Sequence, residues 1–194
     1  MDNPPGDTAP LTDEALMAAL RNGDDAALAA LMGRWELPVK AFLLRLGVPP
    51  AAVEDVAQDT FVRLYEQRVK FRAGCALKPW LLTIAGNLGR NALRWRGRHP
   101  SESLDAAEST GGALADATAV SPADAAERGA IAAQVRAAVA SLPEPLREAV
   151  VCVELEDLSH QEAALVLGCS AKAVESRLYR ARQMLREALG RSSA

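Results

Sequence analysis

The chain has 194 residues, a formal net charge of -3 and an apolar content of 49%, enough for one or two packed domains and too apolar for wholesale disorder. Aromatic residues make up only 4% while Ala and Leu abound, so the expected fold class is all-α. No run approaches the roughly 18 apolar residues of a membrane span, and MDNPPGDTAP is acidic and Pro-rich where a secretory leader would be basic and then apolar, which predicts a cytoplasmic protein without membrane insertion.

Residues 1–11 read as a disordered tail, and residues 12–99 as a first helical domain. Thr12 can cap a helix over Asp13 to Arg21, which Asn22-Gly23 ends. Asp24 or Asp25 starts the next helix, through Leu28, Leu31 and Trp35; Pro38 is expected to kink or restart it before Phe42, Leu43 and Leu46. After Gly47-Val48-Pro49-Pro50 comes the most regular stretch, roughly Ala51 to Val69, with Val53, Val56, Ala57, Thr60, Phe61 and Leu64 as its buried stripe. Its other side carries Glu54, Asp55, Gln58, Asp59, Val62, Arg63 and Glu66, a mixed polar face of the kind that usually meets only solvent.

Residues 70–99, KFRAGCALKPWLLTIAGNLGRNALRWRGRH, hold seven Lys or Arg and no Asp or Glu. Pro79 suits the first turn of a helix, and Leu81, Ile84, Ala85, Leu88, Ala92 and Trp95 recur at helical spacing as a buried face. Opposite them lie Thr83, Asn87, Arg90, Asn91, Arg94 and Arg98, amides and guanidinium groups that can bond base edges and phosphates. Phe71 beside Arg72 adds an aromatic next to a cation, the chemistry that holds unstacked bases, although Phe71 taken alone fits a core position. Gly86 and Gly89 inside this helix cost about 1 kcal/mol each relative to Ala, and nothing in the sequence explains them.

Residues 100–128 read as a flexible acidic linker, rich in small residues, Ser and Thr. A second helical domain, 129–190, opens with a helix carrying Ile131, Val135, Val139 and Leu142. Pro143 and Pro145 break it, and a further helix runs to about Glu156. Ser159-His160-Gln161-Glu162 is a capping box that starts a short helix ending at Gly168. Ser170 caps the last helix, whose stripe is Val174, Leu178, Ala181, Leu185 and Leu189, with Lys172, Ser176, Arg177, Tyr179, Arg180 and Arg182 on the remaining surface. A short capped helix, a Gly-containing turn and a longer basic helix make the helix-turn-helix pattern, with the second helix in the major groove. The alternative is an αα-hairpin with a solvated basic face.

Cys75, Cys152 and Cys169 share no short spacing with one another or with His99 and His160, so neither a disulfide framework, a metal site nor a cofactor is indicated. No phosphate loop or nucleophile-base arrangement appears, and the expectation is that the protein is not an enzyme.

VEDVAQDTFVRLYEQRVKF followed by WLLTIAGNLGRNALRWRGR resembles region 2 of the bacterial extracytoplasmic-function (ECF) sigma factors, and LPEPLREAVVCVELEDLSHQEAALVLGCSAKAVESRLYRARQMLREAL resembles their region 4. The resemblance implies a subunit that binds core RNA polymerase at its clamp coiled coil and flap, directs it to promoter DNA and promotes melting, under the control of a cognate anti-sigma factor. It implies that Asp55, Gln58, Asp59 and Arg63 dock on the polymerase clamp. Phe71, Asn87 and Asn91 match positions that hold a flipped base of the minus-ten element, with Arg90, Arg94, Arg96 and Arg98 on neighbouring phosphates. Lys172, Ser176, Arg177 and Arg180 match the part of the recognition helix that meets the minus-thirty-five element. Leu82, Thr83, Gly86 and Glu175 depart from the family pattern; a carboxylate at position 175 can accept from cytosine N4. The rival reading is a stand-alone helix-turn-helix regulator, which leaves the acid-free stretch without a role; a sigma mimic that sequesters an anti-sigma factor is a third.

Overall fold

The computed structural model describes residues 11–72, 74–98 and 122–190, with side chains from residue 129 onward in the last span. Every regular element among them is helical: α1 Asp13–Arg21, α2 Ala26–Leu46, α3 Pro50–Gln67, α4 Leu77–Arg98, α5 Pro122–Ala140, α6 Glu144–Val150, α7 His160–Leu167 and α8 Ala171–Gly190. A 3-10 turn, Arg68–Lys70, follows α3, and a π-helical turn, Val151–Leu155, extends α6.

The termini follow from local chemistry. Thr12 Oγ1 accepts from the Ala15 amide at 3.2 Å, and Asp24 accepts from the Ala26 amide at 3.0 Å. Gly47, at φ 93°, closes α2 in the left-handed conformation that only glycine adopts freely. Pro38 neither stops nor restarts α2, which runs on through it for 21 residues. The buried side chains on both sides, Leu31, Val39, Phe42 and Leu43, hold that path at the expense of the hydrogen bond proline cannot donate.

Helices α1 to α4 pack around α2, and α6, α7 and α8 form a second group under α5. The two groups are not separate: α7 lies along α4, and α6 with its π-helical turn touches α2, so their buried residues form one continuous apolar cluster. Close packing accounts for one of the two helical glycines. A Cβ on Gly89 would lie 3.1 Å from Leu43 Cδ2 and 3.2 Å from Val48 Cγ2, so α4 crosses α2 so closely that even a methyl group would need those side chains to give by a few tenths of an ångström. At Gly86 the nearest atoms would be an Arg90 nitrogen at 3.5 Å and Val166 Cγ1 at 3.6 Å, ordinary contact. Gly86→Ala is therefore expected to raise the unfolding free energy by about 0.5–1 kcal/mol through helix propensity. Gly89→Val should lower it by about 1–3 kcal/mol through overpacking. Urea denaturation of the two variants measures both, and a stabilised Gly89→Val would refute the close approach.

Three expectations need correcting. The helical backbone of α5 begins at Pro122, so residues 122–128 are helix where the sequence suggested linker; the remainder of that linker and the tail to residue 10 lie outside the described residues. The helix expected to carry Leu142 ends at Ala140, and Ile131 and Val135 along it are 54% and 41% exposed. Trp95, expected in the buried face of α4, is 49% exposed. No helix among the described residues is long and apolar enough to cross a membrane.

Candidate nucleic-acid interface

On α3 the inward stripe is as expected: Val53, Val56, Ala57, Thr60, Phe61 and Leu64 are all buried, and the Thr60 hydroxyl donates to the Val56 carbonyl at 2.8 Å. This fixes the opposite face. Asp55, Gln58, Asp59 and Arg63 are all exposed on it, around Val62, which is 55% exposed. Arg63 is drawn toward Glu66 at 2.9 Å, an exposed pair worth little in water. A row of polar groups around one bare valine is suited to a protein partner, because the apolar centre gains from burial while the rim stays hydrated.

On α4 the predicted nucleic-acid face divides in two. Asn91, Arg94 and Arg98 are exposed, with Arg94 donating to Asn91 Oδ1 at 2.6 Å. Asn87 is exposed as well, and its Oδ1 accepts from Arg90 at 2.6 Å. Arg90 itself turns into the seam between the two helical groups. Its guanidinium donates to Glu148 Oε1 at 3.1 Å and to the Val166 carbonyl at 2.9 Å, and the Glu148 residue is only 7% exposed. A second anchor of the seam is Glu156, 6% exposed, which pairs with Arg45 at 2.6 Å and Lys78 at 3.3 Å while its carbonyl accepts from Lys78 at 2.6 Å.

Phe71 lies in the core, the position that the residue taken alone suggested. It is 4% exposed and meets Trp80 edge to face, with ring centroids 5.2 Å apart, while its carbonyl accepts from Arg21 at 3.1 Å. Phe71 leaves the 3-10 turn with extended backbone, and its ring joins the apolar cluster against which Trp80 packs. Sequence reasoning also missed Glu148 and Glu156. The signal was present in LREAVVCVELE, acids embedded among residues that must be buried, since a buried carboxylate requires a cation or donors. Burial, reinforced by Glu148 against the partial offset of Arg90, pushes the Cys152 thiol up to about 12, so it stays protonated and unreactive near neutrality.

In the second group, Ser159 Oγ accepts from the Glu162 amide at 3.2 Å while Glu162 Oε2 accepts from the Ser159 amide at 2.9 Å, completing the capping box. The Ser159 hydroxyl also donates to Glu162 Oε2 at 2.7 Å, and this bond, followed by that from the Ser159 amide, holds the Glu162 carboxyl below the usual carboxylate range. A depressed carboxylate contributes stability near neutrality that is lost as pH falls through that range. Glu162→Gln should therefore flatten the acid limb of a stability-pH curve, and an unchanged limb would show that the box adds nothing.

Gly168, at φ 61°, turns the chain from α7 to α8, and Ser170 caps α8 by accepting from the Ala173 amide at 3.2 Å. Val174, Leu178 and Ala181 are buried against α6 and α7, which leaves Lys172, Ser176 and Arg180 exposed on one side and Arg177 half-buried. Glu175 lies 3.5 Å from His160 Nδ1, across the turn. The pair of helices has the shape of a helix-turn-helix, with a basic outer face on the second.

Residues 31–99 match the model of sigma-70 region 2, and residues 132–185 match that of sigma-70 region 4. The chain is 34% identical over 180 residues to the ECF RNA polymerase sigma-E factor of Salmonella typhimurium, covering 90% of this chain and 93% of that protein. Its fold is similar to that of CnrH in complex with the cytosolic domain of CnrY, with a TM-score of 0.65 at 28% identity over 92% of this chain and 97% of the other. It is also similar to the sigma factor RpoE of Bartonella quintana in complex with the anti-sigma factor NepR, with a TM-score of 0.64 at 26% identity over 84% and 96% of the two chains.

Proposed function

The chain belongs to the ECF family of sigma factors, and from that premise we propose that it binds core RNA polymerase, carries it to specific promoters and promotes melting of the DNA there, acting in the cytoplasm with no catalysis of its own. The observation that carries this reading is the presence on one chain of an acid-free helix, α4, and a capped helix-turn-helix, α7 with α8. A stand-alone regulator would use only the second of these.

Residues 12–99 serve as region 2 and residues 129–190 as region 4. Asp55, Gln58, Asp59 and Arg63, gathered round Val62, dock on the clamp coiled coil. Asn87 and Asn91 hold an extruded base of the minus-ten element, and Arg94 and Arg98 neutralise adjacent phosphates. Arg90 joins them once released from Glu148. Lys172, Ser176, Arg177 and Arg180 meet the minus-thirty-five element, where α8 enters the major groove. The Bartonella relative is bound to an anti-sigma factor, and a partner of that kind holds this chain inactive by keeping the two helical groups together.

In vitro transcription tests the reading, with purified bacterial core polymerase and a library of genomic fragments, in the presence and absence of the protein. Discrete start sites that require the protein are the expected result. DNA binding without any initiation would replace the sigma reading with the stand-alone regulator.

A further inference from the structure

An open groove of about 720 Å³ runs between α3 and the C-terminal half of α4. Val56, Leu88 and Ala92 supply apolar wall, Trp95 lies along it, and Asn91, Arg94, Arg98 and Asp59 are the polar groups around it. An indole half exposed among guanidinium groups, on a helix without carboxylates, has the composition of a stacking platform for nucleic-acid bases. The charge decides between occupants: a protein helix would need acids to match Arg94 and Arg98, whereas a single DNA strand brings a phosphate for each base. Asp59 does not contradict this, because a carboxylate at the edge of such a groove can accept from the amino group of cytosine or adenine.

We propose that Trp95 stacks on an unpaired base of single-stranded DNA in this groove, and that it does so while α7 still covers Arg90. The inference rests on reading α3 and α4 as region 2 and adds a residue and a state to it. Arg90 is committed to Glu148 and the Val166 carbonyl, but Asn91, Arg94, Trp95 and Arg98 lie farther along α4 and are exposed or half-exposed in the closed arrangement. The chain thus has a single-strand contact that does not require its two helical groups to part.

The test uses the full-length protein without polymerase, at low salt, with labelled oligothymidylate and oligodeoxyadenylate as probes. Anisotropy gives affinity, and tryptophan fluorescence reports stacking. Trp95 lines the groove and Trp35 and Trp80 do not, so DNA-dependent quenching is expected to come from Trp95. Trp95→Ala should weaken binding about 5- to 150-fold and remove the quenching, with the salt dependence unchanged because no phosphate contact is lost. Trp95→Phe should restore most of the affinity, which separates stacking from a folding defect. Parent protein that shows no quenching, or a Trp95→Ala variant that binds the probes like the parent, would overturn the proposal. So would a variant that loses core polymerase while keeping the probes, since the groove would then be a protein site. Failure here alongside promoter-dependent initiation by the parent leaves the sigma reading intact; quenching without initiation by the parent does the reverse.

Discussion

Asn87→Ala is expected to lower the yield of opened promoter about 5- to 150-fold, the value of one bidentate amide-base contact. Binding of the upstream duplex should stay within about twofold, because α8 is a separate element and distant substitutions add independently. The asymmetry follows from where the side chain sits. Asn87 is exposed on α4 and is oriented by Arg90, which donates to its Oδ1 at 2.6 Å. Removing the carboxamide takes away a donor and an acceptor that duplex recognition never uses. Extruding a base costs a few kcal/mol, and the melted state must recover that from contacts such as this one. Permanganate footprinting of the melted bases, run beside a gel shift on the upstream element, measures both quantities. Equal losses in the two would remove Asn87 from the base-holding set.

Phe42→Ala is expected to reduce the unfolding free energy by about 3–5 kcal/mol, a large part of the roughly 5–15 kcal/mol that domains of this kind possess. Phe42 is fully buried and is the largest such side chain in α2, the helix against which α1, α3, α4 and α6 are all packed. Of these, α3, α4 and α6 are each packed on another helix as well, so the cavity cannot close by moving one of them alone. Thermal melting should fall by on the order of 10 °C. A loss below about 1 kcal/mol would mean that the site collapses freely and that α2 is less central than its packing indicates.

Much of this architecture was legible because its signals are local. Thr12, Ser159 with Glu162, Gly47 and Gly168 mark helix ends through groups within four residues of one another, and each stands where the sequence put it. The α3 stripe was equally plain, since a helix buried on one side writes its period into the chain. What escaped was set by partners far along the chain. Arg90 and Glu148 are 58 residues apart, and no periodicity announces that a cation on one helix will neutralise an acid on another. Trp95 was misjudged because periodicity says which way a residue faces on its own helix, not whether another element covers it there, whereas the core position that Phe71 taken alone suggested is the one it occupies. Residues 122–128 were lost to composition, because small residues and acids suit both a linker and the start of a helix.

The seam has a thermodynamic corollary. Arg90 pairs with Glu148 at 3.1 Å, and in the role proposed for it a DNA phosphate is an alternative anion for the same guanidinium, so the two would compete for it. Linkage then runs in both directions: any agent that parts the helical groups raises the affinity of α4 for promoter DNA, and promoter DNA weakens the hold of that seam by the same factor. A sequestering protein and a promoter would in this way oppose each other through one shared side chain without ever occupying the same surface.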